Sequence, residues 1–117
     1  MREKSIENKI KKYLESKGAY YFKHHGNQFS QVGVPDIIVC FKGRFIGIEV
    51  KNETGKTSPL QDINLKMINN AGGIGIVARK VEDVSKIMEE LWVMMKRILL
   101  IILYQMKIEH LYLKKYV

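Results

Sequence analysis

Near the N-terminus apolar residues recur at helical spacing, with Ile6, Ile10, Tyr13 and Leu14 on one stripe and Lys9, Lys11, Lys12 and Lys17 outside it. Ser5 is expected to cap this helix and Gly18 to end it. Glu7 adjoins the stripe, so it either leans toward the edge of the core or is an ordinary first-turn glutamate favoured by the helix dipole. The period then shortens. Residues 19–23, Ala-Tyr-Tyr-Phe-Lys, read as a strand, and residues 24–31 as a polar, glycine-containing loop. Two apolar runs follow, Ile37–Phe41 and Phe45–Val50, separated by Lys42-Gly43 and read as a hairpin.

The helical period returns after a loop at Asn52–Thr57 with the composition of a flexible connector. Ser58 caps a helix with Pro59 in its first position, and Leu60, Ile63, Met67, Ile68 and Ala71 form its apolar stripe before Gly72-Gly73. Ile74–Ala78 reads as a short buried strand, and Val81, Val84, Ile87, Met88 and Leu91 as another helical stripe, with Glu82 and Asp83 in its first turn. The expected order is helix, strand, hairpin, helix, strand, helix. A strand, helix, strand passage implies a right-handed crossover, so the fold class is α/β, with a mixed central sheet flanked by helices.

Residues 93–117 break this pattern. Val93-Met94-Met95 and Ile98–Leu103 are strongly apolar, interrupted by Lys96-Arg97 and followed by Lys107, Lys114 and Lys115. The uninterrupted run is far shorter than the roughly 20 residues of a spanning helix, so no membrane partner is expected. The segment reads as an added helix packing on the domain or on a second copy of it, with a helix lying on a membrane surface as the lesser alternative. Residues 1–92 are therefore taken as the core and 93–117 as an apolar, basic, helical extension.

Inside the hairpin each run carries an acidic residue where a buried strand should have none: Asp36 at the start of the first, Glu49 near the end of the second, followed by Lys51. Buried carboxylates are costly without partners. Alternation sets Glu49 and Lys51 on one face and Ile46, Ile48 and Val50 on the other. A two-residue turn at Lys42-Gly43 sets Asp36 opposite Glu49, whereas a three-residue turn without a bulge would separate them. Two carboxylates meeting beside an ammonium can hold a hard divalent cation and stabilise charge on a phosphate, which describes a phosphodiester hydrolysis site. The same spacing is compatible with a solvated surface hairpin. His24, His25 or Gln31 in the preceding loop lie near enough in sequence to touch a phosphate or base but are given no catalytic role. Gln61 reads alone as an exposed helix-start glutamine.

The chain has 117 residues, enough for one modest domain, and a formal charge of +8. The charge excess sits at the ends: 7 basic and 3 acidic residues in 1–30, 8 and 8 in 31–92, 5 and 1 in 93–117. A basic surface attracts phosphate backbones without choosing a sequence. The single cysteine, Cys40, excludes an internal disulfide, and its place in an apolar strand points to a buried, reduced thiol in an intracellular, cytoplasmic protein. No Cys/His spacing resembles a zinc site, and no glycine-rich phosphate loop, nucleophile elbow or dinucleotide fingerprint is present, so no small-molecule cofactor is expected.

Glu7-x-x-Ile10, Gly33-x-Pro35-Asp36, Gly47-Ile48-Glu49-Val50-Lys51, Ser58-Pro59-Leu60-Gln61, and Gly72-Gly73 followed by Val77-Ala78-Arg79 occur in the order seen in VRR-NUC domains of the PD-(D/E)XK nuclease superfamily. The resemblance covers about residues 5–91. It implies a restriction-endonuclease-like core and Mg²⁺- or Mn²⁺-dependent hydrolysis of DNA phosphodiesters. By that resemblance Asp36, Glu49 and the backbone carbonyl of Val50 bind metal, and Lys51 positions or activates the attacking water. Glu7 resembles the family's helix glutamate, which reaches the metal directly or through water, and Gln61 the motif glutamine that supports the site. Stand-alone members, and the similar archaeal Holliday-junction resolvases, act as homodimers on branched DNA, which is the partner expected here. A nuclease working only with a partner protein, as in repair or restriction, and a non-catalytic DNA-binding protein of the same fold are the competing readings. The extension is not part of the family core.

Overall fold

The computed structural model describes residues 1–26 and 32–117; the loop reading of 27–31, with Gln31, lies outside the described residues. Helix α1 (Glu3–Ser16) leads into β1 (Tyr20–Lys23), β2 (Ile37–Phe41), β3 (Arg44–Val50), α2 (Pro59–Asn70), β4 (Ile74–Ala78) and α3 (Val81–Tyr116). The strands form one sheet in the order β1-β2-β3-β4, with the first two pairings antiparallel and β3–β4 parallel. This is the expected mixed α/β architecture.

The core lies on the face covered by α1 and α3. Ile6, Ile10 and Leu14 of α1, and Val84, Met88 and Leu91 of α3, close over Ile37, Val39, Phe41, Ile46, Ile48 and Val50. Strand alternation explains the set: every second residue of β2 and β3 points to this face. Helix α1 begins at Glu3 behind an Arg2 that makes no side-chain cap, three residues before the helix start that a Ser5 cap implies. Cys40, expected buried, is exposed, because it alternates onto the opposite face beyond the reach of α2.

Helix α2 covers that opposite face over β3 and β4. Gly47 and Gly75 are neighbours in the β3–β4 ladder and form a floor without side chains. A Cβ on Gly47 would lie 2.6 Å from Ile68 Cδ1, and one on Gly75 would lie 2.6 Å from the Leu65 carbonyl oxygen. The close approach lets the start of α2 overhang the end of β3. It also narrows the buried face of the helix: Leu65 is buried, whereas Leu60, Ile63 and Met67 of the expected stripe are about half exposed.

From Trp92 onward α3 continues as one helix with the extension, and the extension does not pack on the domain. No helix is long and apolar enough, among the described residues, to cross a membrane.

Candidate active site

The hairpin turn fixes the site. Lys42 and Gly43 both have positive φ, 51° and 76°, as a two-residue turn matched to strand twist requires. Phe41 pairs with Arg44 and Ile37 with Ile48, and one further step of that ladder sets Asp36 beside Glu49. The register expected from the two-residue turn is the one found. Asp36 Oδ2 accepts a hydrogen bond from the Val50 N–H at 2.8 Å, tying the carboxylate to the strand that carries Glu49.

Glu49 is 2% exposed. Its Oε1 accepts from Gln61 Nε2 at 2.9 Å and lies 3.9 Å from Lys51 Nζ. Its Oε2 is buried with no hydrogen-bond partner among the described residues. Burial, and after it the charge of Asp36, push the Glu49 carboxyl up to about 8, against a smaller opposing pull from Lys51 and Lys23.

Gln61 is placed by the helix start. The Ser58 Oγ accepts from the Gln61 N–H at 3.2 Å, and Gln61 Oε1 accepts from the Ser58 N–H at 2.8 Å. This capping box leaves the amide with one free end, Nε2, and that end is the one on Glu49. The connector 52–57 is pinned rather than loose. Arg79 Nη1 donates to the carbonyls of Asn52 and Gly55 at 2.6 and 2.7 Å, and Asn52 Oδ1 accepts from the Gly55 N–H at 2.7 Å.

Glu7 is buried but does not meet Asp36 and Glu49 directly. Lys23 Nζ stands between, 2.5 Å from Glu7 Oε1 and 3.6 Å from Asp36 Oδ1. Lys11 and Lys4 also reach Glu7, at 3.1 and 3.2 Å. Burial by itself would raise the Glu7 pKa, and the hydrogen bonds from the three lysines outweigh it, holding the group at about 2. Lys23 is pulled the other way. Burial would lower its pKa, but Glu7 and Asp36 raise it. Sequence reading missed Lys23. It lies opposite Ile37, the residue after Asp36, and the β1–β2 connection, residues 24–36, is too long for a turn type to give a register from which to place it.

Two crowded carboxylates, one with a buried and unsatisfied oxygen, form an oxygen-only donor set that fits a hard divalent cation. Among the described residues no group of three or more His, Cys, Asp or Glu side chains gathers at one point. The rest of such an ion's shell would come from backbone carbonyl, water or substrate.

No protein-family model and no curated protein matches the sequence. Among solved structures, a VRR_NUC domain is 26% identical, with a TM-score of 0.62, over 74% of this chain and 94% of that one. A VRR_NUC domain protein is 18% identical, with a TM-score of 0.63, over 76% and 86%. Hjc, a Holliday junction resolvase from the archaeal hyperthermophile Archaeoglobus fulgidus, is 22% identical, with a TM-score of 0.52, over 66% and 67%. The chain has a VRR-NUC, resolvase-like fold of the restriction-endonuclease class.

Proposed function

We propose that the chain is a metal-dependent deoxyribonuclease of the PD-(D/E)XK type that hydrolyses phosphodiester bonds in branched DNA. The observation that carries this reading is the meeting of Asp36 and Glu49 at the open end of the hairpin, with Lys51 on the Glu49 side of β3. The VRR_NUC neighbours and the resolvase neighbour support it, as does the net charge of +8.

In this reading Asp36, Glu49 and the backbone carbonyl of Val50 hold Mg²⁺ or Mn²⁺. When bound, the ion supplies Lewis acidity and lowers the pKa of water. Gln61 fixes the Glu49 carboxylate so that Oε2 is presented and Oε1 is occupied. Lys51 orients the attacking water and offsets charge that builds on the phosphate. Glu7 acts through Lys23, holding that ammonium against Asp36. The core is residues 1–92. No base-reading module is evident in it, which favours recognition of DNA shape over sequence.

Incubation with linear, flapped and four-way-junction DNA tests the assignment. Cleavage of the branched substrates in Mg²⁺ or Mn²⁺, and none in chelator, is the expected result. Absence of metal-dependent cutting on all three would remove the nuclease reading, and cutting of plain duplex at a fixed sequence would replace shape recognition with a restriction-type activity.

Gln61→Ala should lower the cleavage rate by about 10–100-fold, the range seen when groups that orient metal ligands are lost. Ser58→Ala keeps the amide but loosens it, so a smaller rate loss is expected together with about 1 kcal/mol of stability. Single-turnover rates and denaturant midpoints separate the two effects. Equal rates in wild type and Gln61→Ala would reduce that residue to a helix cap.

A further inference from the structure

Helix α3 spans 36 residues, about 54 Å at the α-helical rise. Val84, Met88 and Leu91 in its first turns are buried in the core, while from residue 93 onward no side chain is buried. At 100° per residue the buried stripe continues along the same side of the helix through Met95, Leu99, Ile102, Met106, Leu113 and Tyr116. The least exposed of these six, Met95, is still 38% exposed. Glu109 is the one charged residue on the continued stripe. The basic residues Lys96, Arg97, Lys107, Lys114 and Lys115 all fall outside it.

We infer that this stripe is an interface between two copies of the chain, packed as an antiparallel helix pair. The direction follows from where the domain sits. The stripe lies on the side of α3 that carries the domain, so a partner helix laid on it runs on that same side. In a parallel pair each domain would then claim the volume of the other. In an antiparallel pair the domains stand at opposite ends, and each extension fills the space beyond its partner's domain.

The lengths agree. With the pair centred near residue 104, Trp92 is level with the partner's Tyr116, Met95 with its Leu113, and Ile102 with its Met106. Each helix tip then ends against the partner's domain, at the cleft of about 210 Å³ that Tyr13, Phe41, Lys42 and Trp92 help to line where α3 leaves the sheet. The charge agrees too. Glu109 comes level with the partner's Leu99, within a turn of its Lys96, whereas a parallel pair would set Glu109 against its own copy. Six large apolar side chains from each copy along about 39 Å of paired helix give an interface on the order of the ~1,200 Å² at which specific association begins.

Light scattering and sedimentation equilibrium on the full chain test this. The expected mass is twice 13.6 kDa. Leu99→Glu and Ile102→Glu should each halve it, while Leu100→Glu, on the far side of the helix, leaves it unchanged; circular dichroism checks that the fold is kept. In a Cys40→Ser background, Leu99→Cys combined with Glu109→Cys should oxidise to a covalent dimer and Leu99→Cys alone should not. A monomeric wild type, or a dimer that survives both stripe substitutions, overturns the interface. Disulfide formation by Leu99→Cys alone overturns the direction. A monomer that binds phosphatidylserine-containing vesicles, and loses binding with Ile102→Glu, assigns the stripe to a membrane surface and overturns the proposal.

Discussion

Asp36→Asn should lower DNA cleavage on the order of 10³-fold and leave DNA affinity within a few-fold. The substitution is nearly isosteric, and the amide oxygen can still accept from the Val50 N–H, so the tie between β2 and β3 is kept. The negative charge is what disappears. It leaves Lys23 with Glu7 alone and removes one of the two carboxylates offered to a cation. Affinity rests on basic residues that lie largely outside the site, chiefly toward the two ends of the chain. Lys51→Ala should give a comparable loss of rate, again with little change in binding. Single-turnover cleavage and a binding titration at one fixed salt concentration separate the two quantities. Undiminished cutting by Asp36→Asn would take this residue out of the mechanism. A parallel loss of affinity would mean that the site binds DNA and does not act on it.

The part of the site readable in the sequence was the part written in local geometry. A two-residue turn has one register, and that register alone determined that Asp36 and Glu49 meet. The capping box is likewise local, and it orients Gln61 through bonds within four residues. What lay beyond reach depended on which face of the sheet each helix covers. Cys40 reads as core from an apolar run, yet its face is open because α2 sits over β3 and β4. The stripe of α2 is half exposed for a related reason. Its contact with Gly47 is made by Ile68, which the expected stripe includes, but its contact with Gly75 is made by Leu65, which lies off the line that periodicity selects. Lys23 joins Glu7 to Asp36 across the long connection of residues 24–36, whose pairing no spacing argument can fix. The resemblance to VRR-NUC domains supplied an interest in Glu7 that a lone glutamate in a first turn would not have drawn.

Glu49→Gln should stabilise the metal-free protein at alkaline pH while abolishing cleavage. The ordinary glutamate value of 4.5 applies to the unfolded chain, whereas burial and Asp36 push the folded value up to about 8. Between those pH values the unfolded chain has released the proton that the folded chain retains. Stability therefore falls as pH rises through this window, with a limiting slope of about 1.4 kcal/mol per pH unit. Glu7 acts in the opposite sense. Its folded value of about 2 means that its contribution is present above 4.5 and is lost as pH falls toward 2. The two carboxylates thus bracket a stability maximum near pH 5. Thermal melts in chelator from pH 5 to 8.5 should show wild type losing on the order of 2–4 kcal/mol, several degrees in Tm, with the loss largely absent in Glu49→Gln. The glutamine can still accept from Gln61 Nε2, so its packing is retained and only the ionisation is removed. Adding Mg²⁺ at pH 8 should restore wild type and leave Glu49→Gln unmoved, because a cation that binds only the folded carboxylate pair stabilises it by mass action. A wild-type slope as flat as the variant's would place Glu49 in solvent, apart from Asp36, and the carboxylate pair would lose its claim on a metal.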